Sequence, residues 1–117
     1  MKETELKERT KKFALRVLKL VAALPRSVEG RAIGGQLVRS GTSVGANYRA
    51  ACRGGSKAEF ISKLGIVEEE ADESAYWMEL IMDAGLLQAK RVTSLYQEAS
   101  ELTAIMAASG ISASKRS

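Results

Sequence analysis

Residues 39–64, RSGTSVGANYRAACRGGSKAEFISKL, contain most of one helix, a tight reversal and the start of the next. Counted from Leu37, the positions Leu37, Ser40, Val44, Asn47 and Ala51 alternate spacings of three and four, the period of one helix face. Ser40 and Asn47 make that face partly polar, and Gly41 and Gly45 lie beside it. A glycine inside a helix costs about 1 kcal/mol relative to alanine, so two together imply close approach of a neighbouring helix. Gly54-Gly55 then supplies the stop, with one glycine expected at positive φ. Ser56 is placed to cap the next helix, and Glu59, three residues on, completes a capping box ahead of Phe60 and Ile61. The stretch therefore reads as an antiparallel helical hairpin.

Working outward, the same period recurs. Leu6, Thr10, Phe13, Val17, Leu20 and Leu24 define a first helix from about Thr4 to Leu24, ended by Pro25, the only proline. Ile33 to Ala51 belong to a second helix, about Arg31 to Arg53. Phe60, Leu64, Val67, Ala71, Ser74, Met78 and Ile81 run along a third, about Lys57 to Asp83. Val92, Leu95, Ala99, Leu102 and Met106 mark a fourth, about Arg91 to Ala108, with Gly110 expected to stop it. Three short connections imply antiparallel neighbours. The fold expected is an all-α, up-down-up-down four-helix bundle over residues 1–109, with a disordered tail at 110–117.

Charge is segregated along the chain. Residues 1–63 carry 14 Lys and Arg against 5 Asp and Glu, a net +9; residues 64–117 carry 4 against 9, a net −5. Arg9, Lys12, Arg16 and Lys19 share helical spacing outside the apolar stripe of the first helix. With Arg49 and Arg53 they form a candidate nucleic-acid surface, the plainer reading being a solvated face. Folding the third helix back on the second about Gly54-Gly55 brings residues whose numbers sum to about 109 to similar height. A polar seam follows: Arg39, Ser40 and Ser43 stand against Glu69 and Glu70 in a part-buried layer, with Asn47 near Ser62 and Glu73 near Gln36 at either side of it. Tyr76 and Trp77 lie off the main seam of the third helix and are candidates for a contact between subunits.

Catalytic and metal chemistry find little support. The chain has no histidine, so the Glu-x-x-His ligands of a di-iron bundle are missing. Glu70/Glu73 and Glu98/Glu101 read instead as partners for arginines on adjacent helices. GGSK at 54–57 lacks the order of a phosphate-binding loop. Cys52 is alone, which rules out an internal disulfide and fits a reducing cytoplasm. Charged residues interrupt every apolar run, so no membrane span is expected. No enzyme activity, cofactor, metal or small-molecule substrate is expected.

The segments RSGTSVGANYRAA, SKAEF and KLGIVEEEADES, with PRSVEG ahead of them, resemble a family of four-helix bundles. Its members were first noticed as reading frames inside intervening sequences of bacterial 23S rRNA genes. The resemblance spans about Phe13 to Leu87 and rests on Pro25, Gln36, Leu37, Arg39, Ser40, Ser43, Asn47, Phe60, Leu64 and Glu73. Many members carry Ile-Ala-Glu-Gly after the asparagine, where this chain has Tyr48-Arg49-Ala50-Ala51. The resemblance implies a homopentamer. A related accessory protein of diversity-generating retroelements, a basic pentameric barrel, extends the expectation to RNA or DNA as a partner. The alternative is a homo-oligomeric scaffold that binds no nucleic acid, its basic half meeting the acidic half of the next subunit.

Overall fold

The computed structural model describes residues 1–116. It contains four helices and, among the described residues, no strand: α1 (Glu3–Ala22), α2 (Val28–Cys52), α3 (Lys57–Asp83) and α4 (Ala89–Ser114). The backbone of α1 lies close to α2 and α4, and that of α3 close to α2 and α4, while the backbones of α1/α3 and of α2/α4 stand apart across the core. The helices thus stand at the corners of a square, with α1 and α3 diagonally opposed, in a bundle 50 × 20 × 19 Å. This is the expected four-helix bundle. Its core is the apolar stripe of each helix: Phe13 and Val17, Leu37 and Val44, Leu64, Met78 and Ile81, Leu102 and Met106 are all buried. Each such side chain stabilises the fold by about 1.5–3 kcal/mol.

The ends of the helices follow local chemistry. Ser27 Oγ accepts from Gly30 N at 3.0 Å, so α2 starts at Val28, three residues before the expected Arg31. Ser56 Oγ accepts from Glu59 N at 3.1 Å, and Glu59 Oε2 accepts from Gly55 N at 2.9 Å, the reciprocal cap read in the sequence. The reversal itself differs. Neither Gly54 nor Gly55 has positive φ; among the described residues only Gly85 does, at 68°. Gly85 N donates to Met82 O and Leu86 N to Ile81 O, which closes α3 with a left-handed glycine. Gly54 is constrained by space instead, since a Cβ there would lie 3.1 Å from Ala51 O.

Two expectations need correction. α4 does not stop at Gly110 but continues to Ser114, and Ala113 is buried. Residues 110–114 of the expected disordered tail are therefore helix, because docking Ala113 against the end of the bundle outweighs about 1 kcal/mol for an internal glycine. Residue 117 of that tail lies outside the described residues. The glycines of α2 also face a different neighbour from the one the hairpin suggests. A Cβ at Gly41 would lie 2.8 Å from both methyls of buried Val17, and one at Gly45 would lie 3.2 Å from Thr10 Oγ1. α2 uses its glycines to approach α1, and its polar face to meet α3.

Candidate nucleic-acid interface

The six basic residues singled out in the sequence do not form one surface. Arg9 points across to α4, where its Nε and Nη2 each donate to Glu98 at 2.7 Å, and Nη2 also reaches Glu101 at 3.1 Å. The hydrogen bond that Arg9 donates to Glu98 is the main cause that raises the Arg9 pKa above its ordinary value. A forked guanidinium–carboxylate pair of this kind fixes orientation as well as charge. Arg16 donates to Ser94 Oγ at 3.0 Å, also on α4. Arg9 is thus committed to a tie between α1 and α4, and Arg16 is partly drawn into one. Lys12, Lys19, Arg49 and Arg53 remain exposed.

Two clefts collect the basic side chains. One, about 470 Å³, lies between α1 and α2; Lys7, Lys11 and Arg49 line it with Glu8, over a floor of Thr10, Ala14, Thr42, Gly45 and Ala46. Its floor is shallow because Gly45 lets α2 lie close to α1. Lys7 is held 3.3 Å from Glu3. Arg53, the C-cap residue of α2, lies four positions beyond Arg49. The other cleft, about 360 Å³, lies between α1 and α4 and is lined by Arg16, Lys19 and Arg91 with Ser94. Lys7, Lys11 and Arg91 were not among the sequence candidates. Their signal is spatial: each becomes part of a cluster only once α1 is placed beside α2 and α4.

The polar layer between α2 and α3 is narrower than expected. Ser40 and Ser74 are buried with their hydroxyls 2.9 Å apart, and Ser74 Oγ lies 2.9 Å from Glu70 O. On the rim, Arg39 spans Glu70, at 3.2 Å, and Glu73; Glu73 Oε2 accepts from Trp77 Nε1 at 3.0 Å. Ser40 therefore meets Ser74, five residues beyond the Glu69 that the turn geometry suggested. Glu69 is exposed and forms no part of the layer. Ser43 and Asn47 are turned along α2 itself: Ser43 Oγ donates to Arg39 O at 2.7 Å, and Asn47 Nδ2 to Ser43 O at 2.9 Å. The inward position expected of Asn47 belongs to Tyr48, which is buried. Burial and, next, the neighbouring Cys52 push the Tyr48 pKa up. Burial is also the main influence raising the Cys52 thiol, so the group is held in its unreactive form.

The carboxylate pairs that invite a di-iron reading both have arginine partners, Arg39 on Glu70/Glu73 and Arg9 on Glu98/Glu101. Tyr76 is exposed, and its ring packs edge-on against half-buried Trp77 with centroids 5.2 Å apart. Among the described residues no helix is long and apolar enough to cross a membrane.

Residues 2–108 match the family described as 23S rRNA-intervening sequence protein. The chain is also similar to a crystal structure from Bacteroides thetaiotaomicron, a protein of unknown function from the S23 ribosomal protein family. The two are 32% identical with a TM-score of 0.86, over 94% of this chain and 98% of that one. No curated protein matches this chain.

Proposed function

The chain belongs to the 23S rRNA-intervening sequence protein family, and from that premise we propose that it is a non-catalytic homo-oligomer that binds RNA or DNA through basic surface. Five subunits is the number that the family resemblance implies. The observation that carries the nucleic-acid reading is the α1/α2 cleft, where Lys7, Lys11 and Arg49 converge over small side chains. Between Glu29 and Glu59 the chain has five cations and no carboxylate, so the face of α2 beside that cleft presents a single sign of charge. Phosphates bound there would release counterions, and affinity would fall steeply with salt. The few aromatic side chains argue for backbone contact rather than base stacking. A reducing cytoplasm, which suits the lone Cys52, is the compartment proposed for this assembly.

Titration of fluorescein-labelled single- and double-stranded RNA and DNA by fluorescence anisotropy tests this reading. The Arg49→Glu/Arg53→Glu variant is expected to bind at least 10-fold more weakly. Its salt dependence, as the slope of log K on log salt, should fall by about two. Reversing two charges elsewhere, Lys63→Glu/Lys90→Glu, should have a much smaller effect. Absence of binding by the unmodified protein, or equal loss in both variants, contradicts the proposal. A scaffold without nucleic acid is the second reading, favoured by the opposite charges of α1 and α3; it takes over if no nucleic acid binds.

A further inference from the structure

Of the four neighbouring helix pairs, α1 and α4 lie least close, and the seam between them is filled unequally along its length. The α4 positions that meet it are Glu101, Glu98, Ser94 and Arg91, stepping by three, four and three along one helix face. At one end Arg9 holds Glu98 and Glu101, and opposite charges close the seam. Towards the other end the pattern breaks. Arg16 reaches only the neutral Ser94 Oγ, at 3.0 Å, and Lys19 and Arg91 share the cleft with it. Among the described residues, Arg9 and Arg39 each hold two carboxylates, whereas Arg16, which also bridges two helices, holds none.

The deficit is regional. The chain has no carboxylate between Glu8 and Glu29, and none between Asp83 and Glu98. The resulting cleft, of about 360 Å³, is walled by Arg16, Lys19, Arg91 and Ser94 over an apolar lining of Leu20, Ala23 and Leu95. Leu20 and Leu95 are buried and Arg16 is half-buried, so the like charges are screened less than on an open face. A seam built only for packing would set a carboxylate at position 94 or 91, as it does at 98 and 101. Here it sets a hydroxyl and a further cation. Ser94 Oγ, which accepts from Arg16, still has its own proton to donate.

We infer that the α1/α4 cleft binds a phosphate group of a small phosphorylated molecule. Arg16 and Arg91 supply guanidinium forks, Lys19 a point charge and Ser94 a hydroxyl donor. A phosphate monoester is close to a dianion at neutral pH and has three strong acceptor oxygens, which suits several cations and a hydroxyl. The cleft is at the lower end of the size range of small-ligand pockets, about 300–1,000 Å³. No aromatic ring lines it, so recognition centres on the phosphate. The site is on the α4 side of α1, away from the α1/α2 cleft, and is independent of nucleic-acid binding there.

Pyrophosphate is the probe, titrated calorimetrically into the full chain at an ionic strength held constant with sodium chloride. Saturable binding to a single class of site is expected. Lys19→Ala and Arg91→Ala should each weaken it by about 10-fold or more, while Arg49→Ala, in the other cleft, should change it by less than about 2-fold. All three positions are exposed, so circular dichroism should show the helices intact. Ser94→Glu supplies the converse. It sets a carboxylate against Arg16 as Glu98 stands against Arg9, and should abolish pyrophosphate binding while raising the melting temperature. Pyrophosphate should raise the melting temperature of the unmodified protein and leave that of Ser94→Glu unchanged. No saturable binding, or equal losses with Arg49→Ala and Arg91→Ala, overturns the site. An oligonucleotide that displaces pyrophosphate, and binds more weakly to Lys19→Ala, would assign the phosphate to a nucleic-acid backbone and overturn the small-molecule ligand; absence of displacement supports it. Binding through the α1/α2 cleft stands or falls separately, on Arg49 and Arg53.

Discussion

Alanine in place of Gly30 should lower unfolding stability by about 2–3 kcal/mol, while the same change at Gly35 should raise it by about 1 kcal/mol. Both glycines lie in the first two turns of α2, and space distinguishes them. A Cβ at Gly30 would fall 2.1 Å from Pro25 O and 3.1 Å from Pro25 C, both backbone atoms of the connection from α1. No side-chain rotation relieves that overlap, so the turn must shift, and the Ser27 cap on Gly30 N shifts with it. Nothing lies within 4 Å of a Cβ at Gly35, which then gains only helix propensity. Urea unfolding of both variants at one protein concentration checks the pair. Equal midpoints, or a Gly30→Ala variant more stable than the original, would show that the turn does not hold this geometry.

Phe13→Ala should cost about 3–5 kcal/mol, the range for emptying an aromatic site in a core that cannot collapse. Phe13 is buried on α1 and packs in the central cluster. α1 has few other ties to α4: the Arg9 pair with Glu98 and Glu101, and Arg16 on Ser94. Against a typical total of about 5–15 kcal/mol the loss is severe. Chemical denaturation should show a much lower midpoint with an unchanged slope; a loss under about 1 kcal/mol would mean that α1 is held mainly by its surface contacts.

The fold was legible because the three-four alternation of apolar residues is strong on all four helices and turn residues separate them. α3 runs from Lys57 to Asp83 as read, since Ser56 and Gly85 mark its ends by local chemistry. The polar detail was less legible. Asn47 and Tyr48 are adjacent, about 100° apart on a helix, and periodicity alone favoured the first. Packing chose Tyr48, whose ring lines the lower end of the bundle with Leu6, Phe60 and Ile105. Arg9 looked like part of a free ridge because its partners, Glu98 and Glu101, are about ninety residues away in sequence. Their spacing of three was visible, but nothing local said which helix they would face. The α1/α2 cleft stayed hidden for the same reason. Lys11 and Arg49 belong to one cluster only because Gly41 and Gly45 draw α2 against α1.

The proposed function depends on self-assembly, which is tested most directly by the mass of the unmodified protein in solution, from light scattering coupled to size exclusion at micromolar concentration. A single species at about five times the 12.6 kDa of the chain is the result predicted. A mass of one chain, unchanged on concentration, would contradict it.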